Sequence, residues 1–98
     1  KDLIVSGGEN INPMEVEEQL ISIDGILDSA VVGEEDEEWG QRVIAYVVFE
    51  TNELNETLIK NKLIEVLSKH KIPKKIIKVP LIPRNELGKI IYGSLNSL

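Results

Sequence analysis

The chain has 98 residues, 42% of them hydrophobic and 29% charged, the make-up of one ordinary globular domain rather than a disordered tail. Cysteine is absent and His70 is the only histidine, which excludes disulfides and a Cys nucleophile and argues against a metal site or a Ser-His-Asp triad. No stretch approaches the roughly 18 uninterrupted apolar residues of a membrane span, and no basic-then-apolar leader opens the chain, so a soluble, cytoplasmic domain is expected.

The net charge of -6 gives no support to nucleic-acid binding, but it hides an asymmetry. Residues 1–50 carry 13 acidic and 2 basic side chains, whereas residues 51–98 carry 4 acidic and 9 basic ones. Seven of those basic groups lie between Lys69 and Lys89, against the single acid Glu86. Such a domain can offer different faces to different partners, although uneven surface charge alone is commonplace. Lys1 stands first and the only methionine is Met14, so a processed chain or a piece of a longer one is expected.

In chain order, Leu3-Ile4-Val5 reads as a strand entering a tight turn at Ser6-Gly7-Gly8, with Glu9-Asn10-Ile11 returning. Asn12-Pro13-Met14-Glu15 has the form of a capped helix start, with Glu15 spaced for a capping box, and Val16 and Leu20 continue a helix over residues 13–21. Residues 26–33 hold a short buried strand around Ala30-Val31-Val32. The acidic run 34–38 reads as a loop, and residues 42–50, rich in β-branched and aromatic side chains, give the strongest strand signal. Leu58, Ile59, Leu63, Val66 and Leu67 predict an amphipathic helix over residues 56–69. A third strand is expected over 76–79, an extended loop over 80–89 and a short helix over 90–98. The expected fold is α+β: a small three-stranded sheet flanked by helices, with an N-terminal two-stranded hairpin beside it.

Three spots depart from what packing requires. The Ser6-Gly7-Gly8-Glu9-Asn10 turn lets another backbone or a phosphate come close. Trp39-Gly40 holds the only tryptophan, beside the acidic run, although a lone Trp is commonly an edge or core hydrophobe. Pro83-Arg84-Asn85-Glu86-Leu87-Gly88-Lys89 is no Walker A motif, since the upstream glycine is missing and Ile90 replaces Ser/Thr, yet it puts a lysine on a loop.

Together the three carry a resemblance. Residues 1–17, with Ser6-Gly7-Gly8-Glu9-Asn10-Ile11-Asn12-Pro13, resemble the motif opening the C-terminal domain of adenylate-forming enzymes. That superfamily includes acyl- and aryl-CoA synthetases, nonribosomal-peptide adenylation domains and luciferases. Val31-Val32-Gly33 to Trp39-Gly40-Gln41 resembles the next family segment, and Pro83 through Ile90 the last, so the resemblance covers essentially the whole chain. The Gly-Gly-Glu-Asn-Ile form is most similar to CoA ligases acting on fatty, aryl or o-succinylbenzoate-type acids.

The resemblance implies a two-step reaction: a carboxylate attacks the α-phosphorus of ATP, giving acyl-AMP and pyrophosphate, and a thiol, usually that of CoA, then displaces AMP. ATP, Mg2+ and the acid would be held mainly by a large N-terminal domain, against which this domain pivots about Lys1, the family's hinge position. A hinge must absorb a large φ/ψ change, which a proline would forbid. The resemblance makes Lys89 the catalytic lysine for adenylation, where a fixed cation stabilises converging negative charge and holds two anions in attack geometry. It gives Gly7 and Gly8 the part of leaving a narrow pantetheine tunnel unblocked by side chains, with Glu9 and Asn10 placed to hydrogen-bond near the thiol. It assigns Trp39 to the nucleotide end of CoA, and Lys71 and Lys74 to its phosphates. Ile72 and Tyr92 stand where many relatives carry basic residues. Two alternatives stay open: loading of a carrier-protein phosphopantetheine arm, and a non-catalytic anion-binding module built on the 69–89 patch.

Overall fold

The computed structural model describes residues 3–98. The N-terminal hairpin forms as its glycines require. Strands β1 (Ile4–Ser6) and β2 (Glu9–Ile11) pair antiparallel, and their two-residue turn holds Gly7 at φ 59° and Gly8 at φ 81°, the left-handed conformation that a hairpin of this length needs at both positions. Helix α1 (Pro13–Ile21) starts where local chemistry places it: Asn12 accepts from the Met14 N–H at 2.9 Å and Pro13 occupies the first turn. The reciprocal half of a capping box is not made, because the Glu15 carboxylate reaches Lys71 instead, at 2.9 Å.

Strands β3 (Ile26–Asp36) and β4 (Gly40–Phe49) form the longest pairing, antiparallel from Ile26↔Phe49 to Asp36↔Gly40. The acidic run is therefore strand as far as Asp36, not loop. Glu34 and Glu35 are exposed and Asp36 is half-buried, and Glu34 lies opposite Arg42, whose Nε donates to it at 2.7 Å. Strand β4 is buried on both faces. Val43, Ala45 and Val47 join Val16 and Leu20 of α1 on one side, and Ile44 and Tyr46 meet Val79, Ile82 and Leu95 on the other.

Helix α2 (Glu56–Leu63) is capped by Asn55, which accepts from the Leu58 N–H at 2.9 Å, and is shorter than the 56–69 expected. Only Ile59, Leu63 and Leu67 of the apolar set are buried; Leu58, Ile64 and Val66 are exposed. Once that stripe has been packed, the chain turns through a short 3-10 segment, Lys69–Lys71, into β5 (Lys75–Lys78), which pairs parallel with β4.

The result is α+β with one mixed five-stranded sheet, larger than the three strands expected. The N-terminal hairpin is part of it, because Ser6 of β1 pairs with Gly40 of β4. The sheet runs β2-β1-β4-β3, with β5 also on β4. Both α-helices cover one face, and the C-terminal segment, ending in a 3-10 helix over Tyr92–Ser97, covers the other. Among the described residues no helix is long and apolar enough to cross a membrane.

Candidate functional site

The residues singled out by sequence gather at two ends of β3. At its C-terminal end the β1–β2 and β3–β4 turns lie side by side: the Gly7 N–H donates to the Trp39 carbonyl at 2.9 Å. The Trp39 turn is shaped by Asp36, whose Oδ1 accepts from the N–H groups of Glu38 (2.8 Å) and Trp39 (2.9 Å). Those two bonds, the Trp39 one first, hold the Asp36 carboxyl below its ordinary value. The Trp39 ring meets His70 edge-on, with centroids 4.8 Å apart, and the Lys69 ammonium lies 5.7 Å from its centre.

The two glycines differ here. A Cβ on Gly7 would stand 2.4 Å from His70 Nε2, whereas one on Gly8 would meet nothing within 4 Å. Gly7 thus lets the imidazole pack against the turn, and Gly8 is the one facing open space. His70 Nε2 is buried and has no hydrogen-bond partner among the described residues.

The polar residues assigned to this end divide in the same way. Glu9 accepts from Ser68 Oγ at 2.9 Å and lies 3.8 Å from the Lys71 ammonium. Lys71 is thus held by Glu15 and Glu9, and the Glu15 bond is the main cause raising its affinity for its proton. Lys74 and Asn10 are exposed, and the Lys74 ammonium takes part in none of the ion pairs among the described residues. Lys1, the expected hinge, lies outside the described residues.

At the other end of β3 is Lys89. Its segment is not an open loop but a closed turn. Residues 84–90 pair back on themselves (Arg84↔Ile90), the Gly88 N–H donates to the Asn85 carbonyl at 2.9 Å, and Gly88 has φ 84°. Asn85 Oδ1 accepts from the N–H of Leu87 (2.9 Å) and of Lys89 (3.0 Å). Arg84 joins this turn to β3: Nε and Nη2 donate to Asp28 at 3.1 and 2.6 Å, and Nη1 donates to the Gly88 carbonyl at 2.6 Å. Lys89 itself is exposed, and its ammonium is in none of the ion pairs among the described residues.

A cleft of about 480 Å³ adjoins it, lined by Met14, Glu17, Ser29, Arg84, Lys89 and Tyr92 among others. Glu17 is buried in its wall, and one oxygen, Oε2, accepts from the Val31 N–H (2.8 Å) and the Tyr92 hydroxyl (2.7 Å). Burial outweighs those bonds and raises the Glu17 carboxyl above its ordinary value; burial, then the Glu17 bond, also raises the Tyr92 hydroxyl. Asp28, Arg84, Asn85, Glu17, Tyr92 and His70 had no assigned role in the sequence. Asn85 ahead of Gly88 is the turn signature by which the closed loop, expected as an extended one, could have been found; nothing local signals the others. Among the described residues no group of three or more His, Asp or Glu is arranged to hold a metal.

Asp28 and Asp36 bound the part of β3 between the two ends, and at about 3.3 Å per residue that spans roughly 25 Å. The molecule measures 33 × 30 × 20 Å, so this stretch of β3 runs most of the length of the domain.

This fold, with a lysine turn and a glycine hairpin at opposite ends of one sheet, defines a class. The chain belongs to the AMP-binding enzyme C-terminal domain family, whose sequence model matches residues 15–89. Among particular relatives it is 44% identical over 91 residues to a long-chain-fatty-acid–CoA ligase of Mycobacterium tuberculosis, covering 93% of this chain and 18% of that protein. It is 43% identical over 94 residues to a 2-succinylbenzoate–CoA ligase of Oceanobacillus iheyensis, covering 96% of this chain and 19% of that one. A double mutant of o-succinylbenzoate CoA synthetase from Bacillus subtilis, bound with its product analogue, superposes with a TM-score of 0.93 at 37% identity, over 99% of this chain and 20% of that one. The chain thus spans about a fifth of the length of the curated relatives it matches.

Proposed function

We propose that this chain is the mobile C-terminal domain of an ATP-dependent, AMP-forming acyl-CoA synthetase. In that role Lys89 serves carboxylate adenylation and the Gly7-Gly8 end serves thioester formation. The observation that carries this reading is that the Lys89 turn, tied to Asp28, and the glycine hairpin, beside the turn that follows Asp36, lie at opposite ends of a stretch of β3 about 25 Å long. One rigid domain cannot deliver both to a single reaction centre at once, so the two half-reactions use it in two orientations, turned about a hinge at Lys1.

In the first orientation the Lys89 ammonium neutralises charge as a carboxylate oxygen meets the α-phosphate of ATP. The acid, ATP and Mg2+ are bound mainly by a partner domain of the same enzyme. In the second, Gly8 leaves room for pantetheine, Glu9 and Asn10 border the thiol end, Trp39 offers a ring to the nucleotide, and Lys74 offers a cation to its phosphates. Lys71 contributes charge to that face, tempered by Glu9 and Glu15.

The test separates the half-reactions in the full-length enzyme. Lys89→Ala is expected to slow adenylation, read by ATP–pyrophosphate exchange, by about 10²–10³-fold. Thioester formation from preformed acyl adenylate should be spared. Equal loss in both half-reactions sinks the assignment.

A further inference from the structure

We propose that Arg84 and Asp28 are positioning residues for the catalytic lysine: the guanidinium fixes the Lys89 turn to β3 and thereby aims the ammonium. The inference rests on the role given to Lys89 above and adds how that residue is held.

Among the described residues the tip of the turn has no other lateral support. Leu87, its only large apolar side chain there, is 82% exposed, and a Cβ on Gly88 would touch nothing within 4 Å. The flanks are anchored, Ile82 within the core and Ile90 packed against it, but these set only where the hairpin leaves the body. Asn85 closes the turn upon itself through the N–H groups of Leu87 and Lys89, which fixes its shape without fixing its direction.

Direction comes from Arg84. Two of its nitrogens grip both oxygens of Asp28, and a third holds the carbonyl of Gly88, the residue joined directly to Lys89. Asp28 is itself fixed, because its Oδ1 also accepts from the Ser29 N–H at 2.8 Å. A planar guanidinium grips both oxygens of a carboxylate and a carbonyl in one rigid fork; an ammonium, a point charge on a flexible stem, can reach such partners but cannot hold them in that fixed geometry. Catalysis by a cation demands placement to a fraction of an ångström, and an error near 1 Å can cost about 100-fold. The clamp therefore acts on the adenylation rate and has no reason to act on the hairpin end.

The experiment uses the full-length enzyme with Arg84→Lys, Asp28→Asn, the double variant, and Lys89→Ala as reference. Both half-reactions and thermal unfolding are measured. Arg84→Lys and Asp28→Asn are each expected to lower kcat for adenylation by about 10–100-fold. KM for ATP should stay within about twofold and the thioester half-reaction should be intact. The double variant should be no worse than the weaker single one, since either change opens the same clamp.

If Lys89→Ala abolishes adenylation while both clamp variants retain it, the clamp proposal is overturned and the Lys89 assignment stands. If Lys89→Ala is itself harmless, the assignment is the part that fails. If the clamp variants lower both half-reactions in step with lost folded protein, the pair is structural only, which also overturns the proposal.

Discussion

The two ends of β3 are built on the same local device in different surroundings. At each, an Asx side chain accepts from two backbone N–H groups and a glycine with positive φ closes the turn: Asp36 with Gly40 beside Trp39, and Asn85 with Gly88 beside Lys89. What surrounds the turns differs. The Trp39 turn is packed, with the His70 imidazole wedged over Gly7 and edge-on to the indole. The Lys89 turn touches little and is tied by Arg84 to a half-buried carboxylate. One end is built by filling space, and the other by hydrogen bonds that leave the space around its lysine empty.

The sharpest way to break this contrast is at the two glycines. Gly7→Ala and Gly8→Ala both place a Cβ in the left-handed region, which costs about 1–2 kcal/mol each. Gly7→Ala must in addition displace an imidazole from 2.4 Å, while Gly8→Ala meets nothing. Urea unfolding should therefore rank Gly7→Ala as clearly the more damaging. His70→Ala in the Gly7→Ala background should recover the excess and leave the backbone cost. Equal destabilisation by the two glycine changes, or no recovery, would show that His70 does not fill the space over Gly7.

A milder effect is expected among the lysines. Lys74→Glu should raise KM for CoA several-fold and leave KM for ATP unchanged, because this exposed ammonium is in no ion pair among the described residues. Lys71→Glu instead sets a carboxylate against Glu9 and Glu15, so its main effect should be on stability. An unchanged KM for CoA in Lys74→Glu argues against a phosphate contact at that position.

The legible parts of the fold are those decided by neighbours in sequence. The Asn12-Pro13 cap, the Gly7-Gly8 turn and the β-rich run that becomes β4 all satisfied their own local rules, and the structure follows them. What sequence could not give depends on partners far along the chain. Glu34 to Asp36 are strand because Arg42, Gln41 and Gly40 lie opposite, not because of their own composition. Helix α2 ends at Leu63, although the apolar spacing continues and Leu67 beyond it is still buried. Lys71 reads as a free cation until folding brings Glu15, 56 positions away, against it. The Arg84 clamp likewise needs Asp28, also 56 positions away.

The smallest predicted effect separates the two ends by pH. Asp36, held below the ordinary 3.8 by backbone N–H groups, contributes stability that is present above that value and lost as pH falls through the lowered one. Glu17 works in the opposite sense. Burial raises its carboxyl above the ordinary 4.5, with the Val31 N–H, the Tyr92 hydroxyl and Arg84 opposing and Asp28 adding to the rise. The folded chain therefore binds this proton more tightly than the unfolded one, and the stability it confers is complete below 4.5 and lost as pH rises through the raised value. Glu17→Gln removes the charge but can keep both hydrogen bonds, because the Val31 N–H and the Tyr92 hydroxyl donate to the same oxygen. Relative to the parent chain, Glu17→Gln should gain stability as pH rises from about 4.5 toward neutrality, measured by urea unfolding at successive pH values. A difference between the two chains that stays constant over that interval would mean that Glu17 keeps its charge in the wall of the Lys89 cleft at no cost.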